Sequence, residues 1–133
     1  MVGFAAVLDA NVLYPFSLRD ILLRLAEAEL YDPYWSQRIL AEVTRNLIEK
    51  GAMDPVRAAR LEQLLAEAFV SAFVPERAIA RLEGAMTNHP KDRHVLAAAV
   101  AAGAHVIVTL DLDGFPDAAC SPFGSEAQHP DEF

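Results

Sequence analysis

Two apolar runs in this chain each end in an acid. FAAVLDAN carries Asp9 out of the first, and VIVTLDLD carries Asp111 out of the second. A carboxylate released at the carboxyl end of a buried strand stands where open α/β sheets build their sites, and an acid so placed needs a partner. Two further acids complete the set: Glu42 in WSQRILAEV and Asp92 in HPKDRH. Carboxylates gathered in water-poor space repel one another and raise one another's pKa. They are stable together in ionised form when a hard divalent cation lies among them, and Mg2+ and Mn2+ take oxygen ligands of this kind. A hydrated ion held by carboxylates, with room for phosphate oxygens, points to hydrolysis of a phosphodiester. Asn11 and Thr109 stand two residues from Asp9 and Asp111, where a carboxamide and a hydroxyl orient a ligand or a water. Asp113 follows two residues after Asp111. No Cys/His cluster suggests zinc.

Each acid also has an ordinary structural use. Asp92 is favoured by the dipole in the first turn of a helix. Glu42 can pair with Arg38 or Arg45 on a solvated face, for about 0.3–0.5 kcal/mol per pair. Asp113, before Gly114, is a turn former.

For the acids to meet, strands must deliver two of them and helices the others. The first strand runs from Met1 to Asp9 and another from Val106 to Thr109, whose β-branched run reads as fully buried. Ser17 caps an expected helix from Leu18 to about Leu30, with Ile21, Leu22, Leu25 and Ala26 facing inward. Asp32-Pro33 breaks it. Ser36 caps a helix from Gln37 to Lys50, ended by Gly51, with Ile39, Leu40, Val43 and Leu47 as its core stripe. Arg38, Glu42, Arg45 and Glu49 share another face of it. Asp54-Pro55 opens a third helix to about Phe69, on Leu61, Leu64, Leu65 and Ala68. A short strand is expected within Ala72 to Pro75 and a short helix from Glu76 to Ala85. Asn88-His89-Pro90 starts an alanine-rich helix that stops at Gly103 and can lie very close to the sheet. A turn at Gly114-Phe115-Pro116 and a last strand from Gly124 to Ala127 complete the chain. Strands alternating with helices imply an α/β fold of three layers, α/β/α, around a mainly parallel sheet.

The 133 residues suit one domain, 1–133, with a real core. A hydrophobic fraction of 53% and a mean hydropathy of +0.19 exclude disorder. No apolar run approaches the roughly 20 residues of a membrane span, and the N-terminus has no signal-peptide pattern. A lone cysteine, Cys120, fits a reducing cytoplasm. The net charge of −8 argues against broad nucleic-acid binding, although a local basic rim or a bound cation changes that balance.

LDANVLYP, WSQRILAEV, KDRHVLAAAVAAGAHVIVT and TLDLDGFP resemble, in order, the acidic motifs of the PIN-domain ribonucleases, and among them the VapC type. The resemblance covers nearly the whole chain and is most specific from His89 to Thr109. It implies a compact α/β/α fold, Mg2+- or Mn2+-dependent cleavage of single-stranded RNA, and homodimers. Toxin members are held inactive by a cognate VapB-type antitoxin lying across the active-site groove. Carried over by motif, the four catalytic, metal-binding acids are Asp9, Glu42, Asp92 and Asp111, with Asn11 and Thr109 in support. The pattern departs at Asp113-Gly114-Phe115-Pro116, where relatives often read Asp-Phe-Pro, and the chain stops at PDEF where relatives typically continue. By the same resemblance, Arg38, Arg45, Lys91 and Arg93 hold substrate phosphates or acidic groups of an inhibitor, besides their simpler use as ion-pair partners. Tyr14, Tyr34 and Trp35 stack unpaired bases or, more simply, pack in a core or interface. His94 caps or packs.

Two rival readings stand beside the toxin ribonuclease. One is a PIN scaffold that binds RNA or protein without cutting. The other is a phosphatase of the haloacid dehalogenase type, which expects a second aspartate where Asn11 stands.

Overall fold

The computed structural model describes residues 4–133. Its centre is a five-stranded, fully parallel sheet. In chain order the strands are β1 (Ala5–Leu8), β2 (Asp32–Ser36), β3 (Phe73–Val74), β4 (Val106–Val108) and β5 (Glu126–Gln128). In space they run β3-β2-β1-β4-β5. The chain therefore steps outward from β1 to β3, then returns across the sheet to place β4 on the other side of β1. That reversal makes the carboxyl ends of β1 and β4 the topological switch point of the sheet.

Helices α1 (Ala10–Leu13), α2 (Phe16–Glu27), α3 (Gln37–Glu49), α4 (Pro55–Ala68), α5 (Glu76–Glu83), α6 (Arg93–Ala102) and α7 (Asp117–Cys120) connect and flank the strands. On one side α6 lies across β1, β2 and β4 with α5 against it, while α1 packs on α2 and α3, and α3 on α4. This is the three-layer arrangement that the alternation of strands and helices implies. One continuous core joins the layers through Val7, Leu8, Trp35, Ile39, Leu40, Ile79, Leu96 and Ile107. Trp35 is fully buried, edge-on to Phe69 at 5.6 Å between ring centroids, which makes it a core residue.

Expectations for α3, α4, α5 and β4 agree with the structure to within two residues at either end. Ser36 and Asp54 cap α3 and α4 through hydrogen bonds from Ile39 N (3.2 Å) and Arg57 N (2.8 Å). Elsewhere the structure differs for local reasons. The expected first strand begins at Met1, but Met1–Gly3 lie outside the described residues. Helix α2 starts at Phe16, with Pro15 rather than Ser17 as its N-cap, and ends at Glu27 because Glu29 takes a left-handed φ of 61°. Its buried stripe is Arg19, Leu22 and Ala26, which turns Ile21 outward. Helix α4 likewise packs by the narrow stripe of Ala58, Leu61 and Leu65, leaving Leu64 and Ala68 exposed. Strand β5 begins two residues later than expected because Gly124 is a left-handed turn residue at φ 72°.

Strand β2 is the larger addition. Asp32-Pro33 does not break α2, which has already ended at Glu27; both residues are instead paired with β1, in register Ala5↔Asp32 and Ala6↔Pro33. Asp32 N donates to Phe4 O at 2.7 Å, so the imide nitrogen of Pro33 faces away from β1. On that side β3 begins its pairing only at Trp35. Pro33 thus sits where β2 is still an edge, the place in a sheet that tolerates proline.

Candidate active site

Leu8 pairs with Val108, and Asp9 N donates to Val108 O at 3.0 Å, so Asp9 and Thr109 leave the sheet side by side. Asp9 is buried and serves as the N-cap of α1, with Oδ1 accepting from Ala10 N at 2.8 Å. Its Oδ2 accepts from the Thr109 hydroxyl at 3.0 Å. Thr109 Oγ1 in turn accepts from Asn11 Nδ2 and from Asp111 N, each at 3.0 Å. One donated and two accepted bonds use the whole capacity of a hydroxyl. Asn11 Oδ1 closes the ring by accepting from Leu110 N at 3.0 Å. Thr109 and Asn11, read as supporting residues, therefore fix both the orientation of the Asp9 carboxylate and the path of the chain into Asp111.

Asp92 arrives from the other side. It is the last residue of a 3-10 turn, Pro90–Asp92, where the chain enters α6, so it precedes that helix rather than lying in its first turn. Its side chain makes no capping bond, and its Oδ2 is buried without a hydrogen-bond partner. Glu42 projects from α3, half-buried, with Arg45 Nη2 at 3.7 Å from its Oε1. Burial is the main cause that pushes the Asp9 carboxyl up to about 6, and the charges of Asp92 and Glu42 add to it against the bonds from Thr109 and Ala10. Burial also raises Asp92; the charges of Asp111 and Glu42 reinforce the shift, and Lys91 opposes it. The four acids expected from the sequence are thus brought within electrostatic reach of one another. They do not close into a cage: among the described residues, no three His, Cys, Asp or Glu side chains form a group arranged to hold a metal ion.

The donor chemistry nevertheless suits a hard cation. All the candidate ligands are oxygens, one of them an unsatisfied buried carboxylate oxygen, and Mg2+ keeps several waters and needs only one or two direct carboxylates.

The remaining candidates divide. Lys91 is exposed and Arg45 lies beside Glu42. Arg93 is half-buried and donates from Nε to Asn88 O at 2.8 Å. Arg38 is engaged away from the acids, bridging Glu76 (2.6 and 2.8 Å) and Glu83 (2.8 and 2.9 Å) and so tying α3 to α5. Those bonds raise its pKa and lower both glutamates. Asp113 is exposed in the 3-10 turn Leu112–Gly114 and is not among the bonded groups of the site. Tyr14 is half-buried under Lys50 Nζ, 5.3 Å from its ring centroid. His94 is half-buried with Nδ1 unpartnered. Asn88 was legible only as part of a helix start, yet it is buried and donates to Gly114 O at 3.1 Å. An asparagine four residues before a site acid is the only signal that could have marked it.

A parallel α/β/α sandwich with acids at its switch point is the class of protein that fold and site define. A family model described as PIN domain matches residues 5–113, and the chain belongs to the PIN-domain family. Over 52 residues it is 60% identical to the putative ribonuclease VapC50 of Mycobacterium tuberculosis (strain ATCC 25618 / H37Rv). That stretch is 39% of this chain and 31% of the relative, so the match spans about a third of that protein. Two solved structures share the fold. VapBC-1 from nontypeable Haemophilus influenzae gives a TM-score of 0.63 at 18% identity, over 96% of this chain and 98% of the other. VapBC2 from Rickettsia felis, bound to a DNA fragment from its promoter, gives 0.58 at 14% identity, over 94% and 98%.

Proposed function

We propose that this protein is a divalent-metal-dependent endoribonuclease that cuts single-stranded or structured RNA as the toxin of a toxin–antitoxin pair. The observation that carries the reading is the set of acids at the switch point, two of them with pKa values raised partly by the others' charges. Asp9, Asp92, Asp111 and Glu42 would hold Mg2+ or Mn2+. The ion supplies charge neutralisation for the phosphodiester and activation of the attacking water. Thr109 and Asn11 hold Asp9 in place, and the half-buried setting of the acids limits access of bulk water. Arg45, Lys91 and Arg93 are the cations nearest to hand for substrate phosphates or for an acidic antitoxin segment. Arg38 joins them only if such a group displaces Glu76 or Glu83. The name of the partial relative, a ribonuclease, supports the activity. The VapBC assemblies that share the fold support a VapB-type antitoxin as partner. A homodimer in the cytoplasm belongs to the same reading; among the described residues no helix is long and apolar enough to cross a membrane.

Purified protein with Mn2+ or Mg2+ is expected to cleave single-stranded RNA, and Asp9→Asn to abolish the cleavage. Equal cleavage by wild type and variant would assign the activity to a contaminant and overturn the proposal. A second reading, a PIN scaffold that binds without cutting, draws support from the open arrangement of the acids. Calorimetry separates the two: the scaffold gives no heat of divalent-cation binding.

A further inference from the structure

Gly114 stands against the two acids that the loop after β4 and the entry to α6 bring together. A Cβ on this residue would collide with Asp92 Oδ2, at 3.2 Å from Asp92 Cγ and 3.3 Å from Asp111 Oδ2. Its φ lies outside the left-handed region, so glycine is required here for space and not for backbone freedom. The peptide is fastened on both sides. Its carbonyl accepts from Nδ2 of Asn88, which is 2% exposed, and its N–H donates to Asp111 O at 3.3 Å. Asn88 is itself held, its carbonyl accepting from Arg93 Nε on the first residue of α6. Gly114 is thus tied at one end to the segment that leads into Asp92 and at the other to Asp111.

We propose that Asn88 and Gly114 form a positioning clamp that fixes the Asp92 carboxylate against that of Asp111 and so sets the affinity of the pair for a divalent cation. The proposal rests on the metal-site reading above. Neither residue touches the reacting atoms; each acts through the two acids. A methyl group at 114 forces the Asp92 carboxylate to turn aside, because Gly114 cannot retreat while its carbonyl is bound. Loss of the Asn88 amide frees that carbonyl and with it the loop. Partners that orient metal ligands in this way are worth about 10–100-fold in metal affinity.

The test uses Mn2+ as the probe, titrated by electron paramagnetic resonance into wild type, Asp92→Asn, Asn88→Ala and Gly114→Ala, each well below its own melting temperature. Binding by the two clamp variants is expected to weaken about tenfold or more. The melting-temperature loss caused by Gly114→Ala is also expected to shrink in an Asp92→Ala background, where the added methyl finds room. If wild type binds Mn2+ and Asp92→Asn loses it, while Asn88→Ala and Gly114→Ala bind like wild type, the clamp is overturned and the metal site stands. If wild type binds no Mn2+, or Asp92→Asn binds equally well, the metal-site reading fails and the clamp's role with it. Should a clamp variant be too unstable to titrate, an equal loss from Gly114→Ala in both backgrounds overturns the clamp.

Discussion

The Thr109 hydroxyl and the Asp9 carboxylate act on the stability of the site with opposite signs. Thr109 satisfies Asp9 Oδ2, Asn11 Nδ2 and Asp111 N at once, in a fully buried position. Thr109→Val keeps the shape and leaves those groups without their partner. It is expected to cost about 2–3 kcal/mol in denaturant unfolding, against almost nothing for an exposed threonine such as Thr87. Asp9 works the other way. Its carboxyl is raised from 3.8 to about 6, so the fold favours its protonated form. The resulting penalty is absent below the unfolded value, grows between about pH 4 and pH 6, and is complete above that. Asparagine still caps a helix, so Asp9→Asn removes the buried charge, but its single carbonyl oxygen cannot take over both acceptor roles and leaves the Ala10 N–H or the Thr109 hydroxyl unpaired. The variant should lose activity, and its stability relative to that of the metal-free wild type should rise as the pH goes from about 4 to about 6. Unfolding curves at the two pH values check this, and a stability difference that does not change with pH would contradict the burial argument. The identity of these acids was legible because each ends an apolar run or sits in an ordered motif. The ring around Thr109 was not, since it joins residues 98 and 100 positions apart.

At the scale of elements, α3 was readable in full because its cap, stripe and terminal glycine all agree. The edges were less so. Strand β3 lies within the expected Ala72 to Pro75 and β5 overlaps the expected Gly124 to Ala127, while the single turns α1 and α7 are too short to show a period. Strand β2 was hidden by Pro33, whose tolerance depends on how far β3 extends, a fact of tertiary structure. Helix α6 tells the reverse story. Its run of alanines predicted close approach to the sheet, and Ala97, Ala98 and Ala99 are all fully buried between the strands and α5. The same helix carries Asp92 at its entry. Ala98→Leu is therefore expected to cost about 1–3 kcal/mol or more through overpacking, and to shift Asp92 enough to weaken Mn2+ binding. The same substitution at Ala101, exposed on α6, should change stability by no more than about 0.5 kcal/mol. Paired melting curves and Mn2+ titrations separate the two positions.

For the whole molecule, the net charge of −8 sets the terms on which a polyanion is met. The acids cluster at one end of the sheet; Arg45 lies beside Glu42 and the Lys91 charge acts on Asp92, while Arg93 is bonded to Asn88 O and Arg38 is held by two glutamates. The net negative charge argues against a broad basic surface as the source of affinity for single-stranded RNA, so on the proposed function it comes from the divalent ion and a small number of phosphate contacts. Counterion release then gives a shallow dependence on monovalent salt. With no more than three protein cations engaged, the slope of log K against log salt should be no steeper than about −2. Measured with a fixed concentration of Ca2+ in place of Mg2+, to hold the site without relying on turnover, RNA binding should follow that slope. It should fall sharply on chelation and fall again in Asp92→Asn. Lys91→Ala should reduce the slope by somewhat less than one while leaving the divalent requirement intact. A slope several times steeper, unaffected by chelation, would mean that RNA is held by a cationic surface elsewhere on the protein and would remove the acids from the binding step.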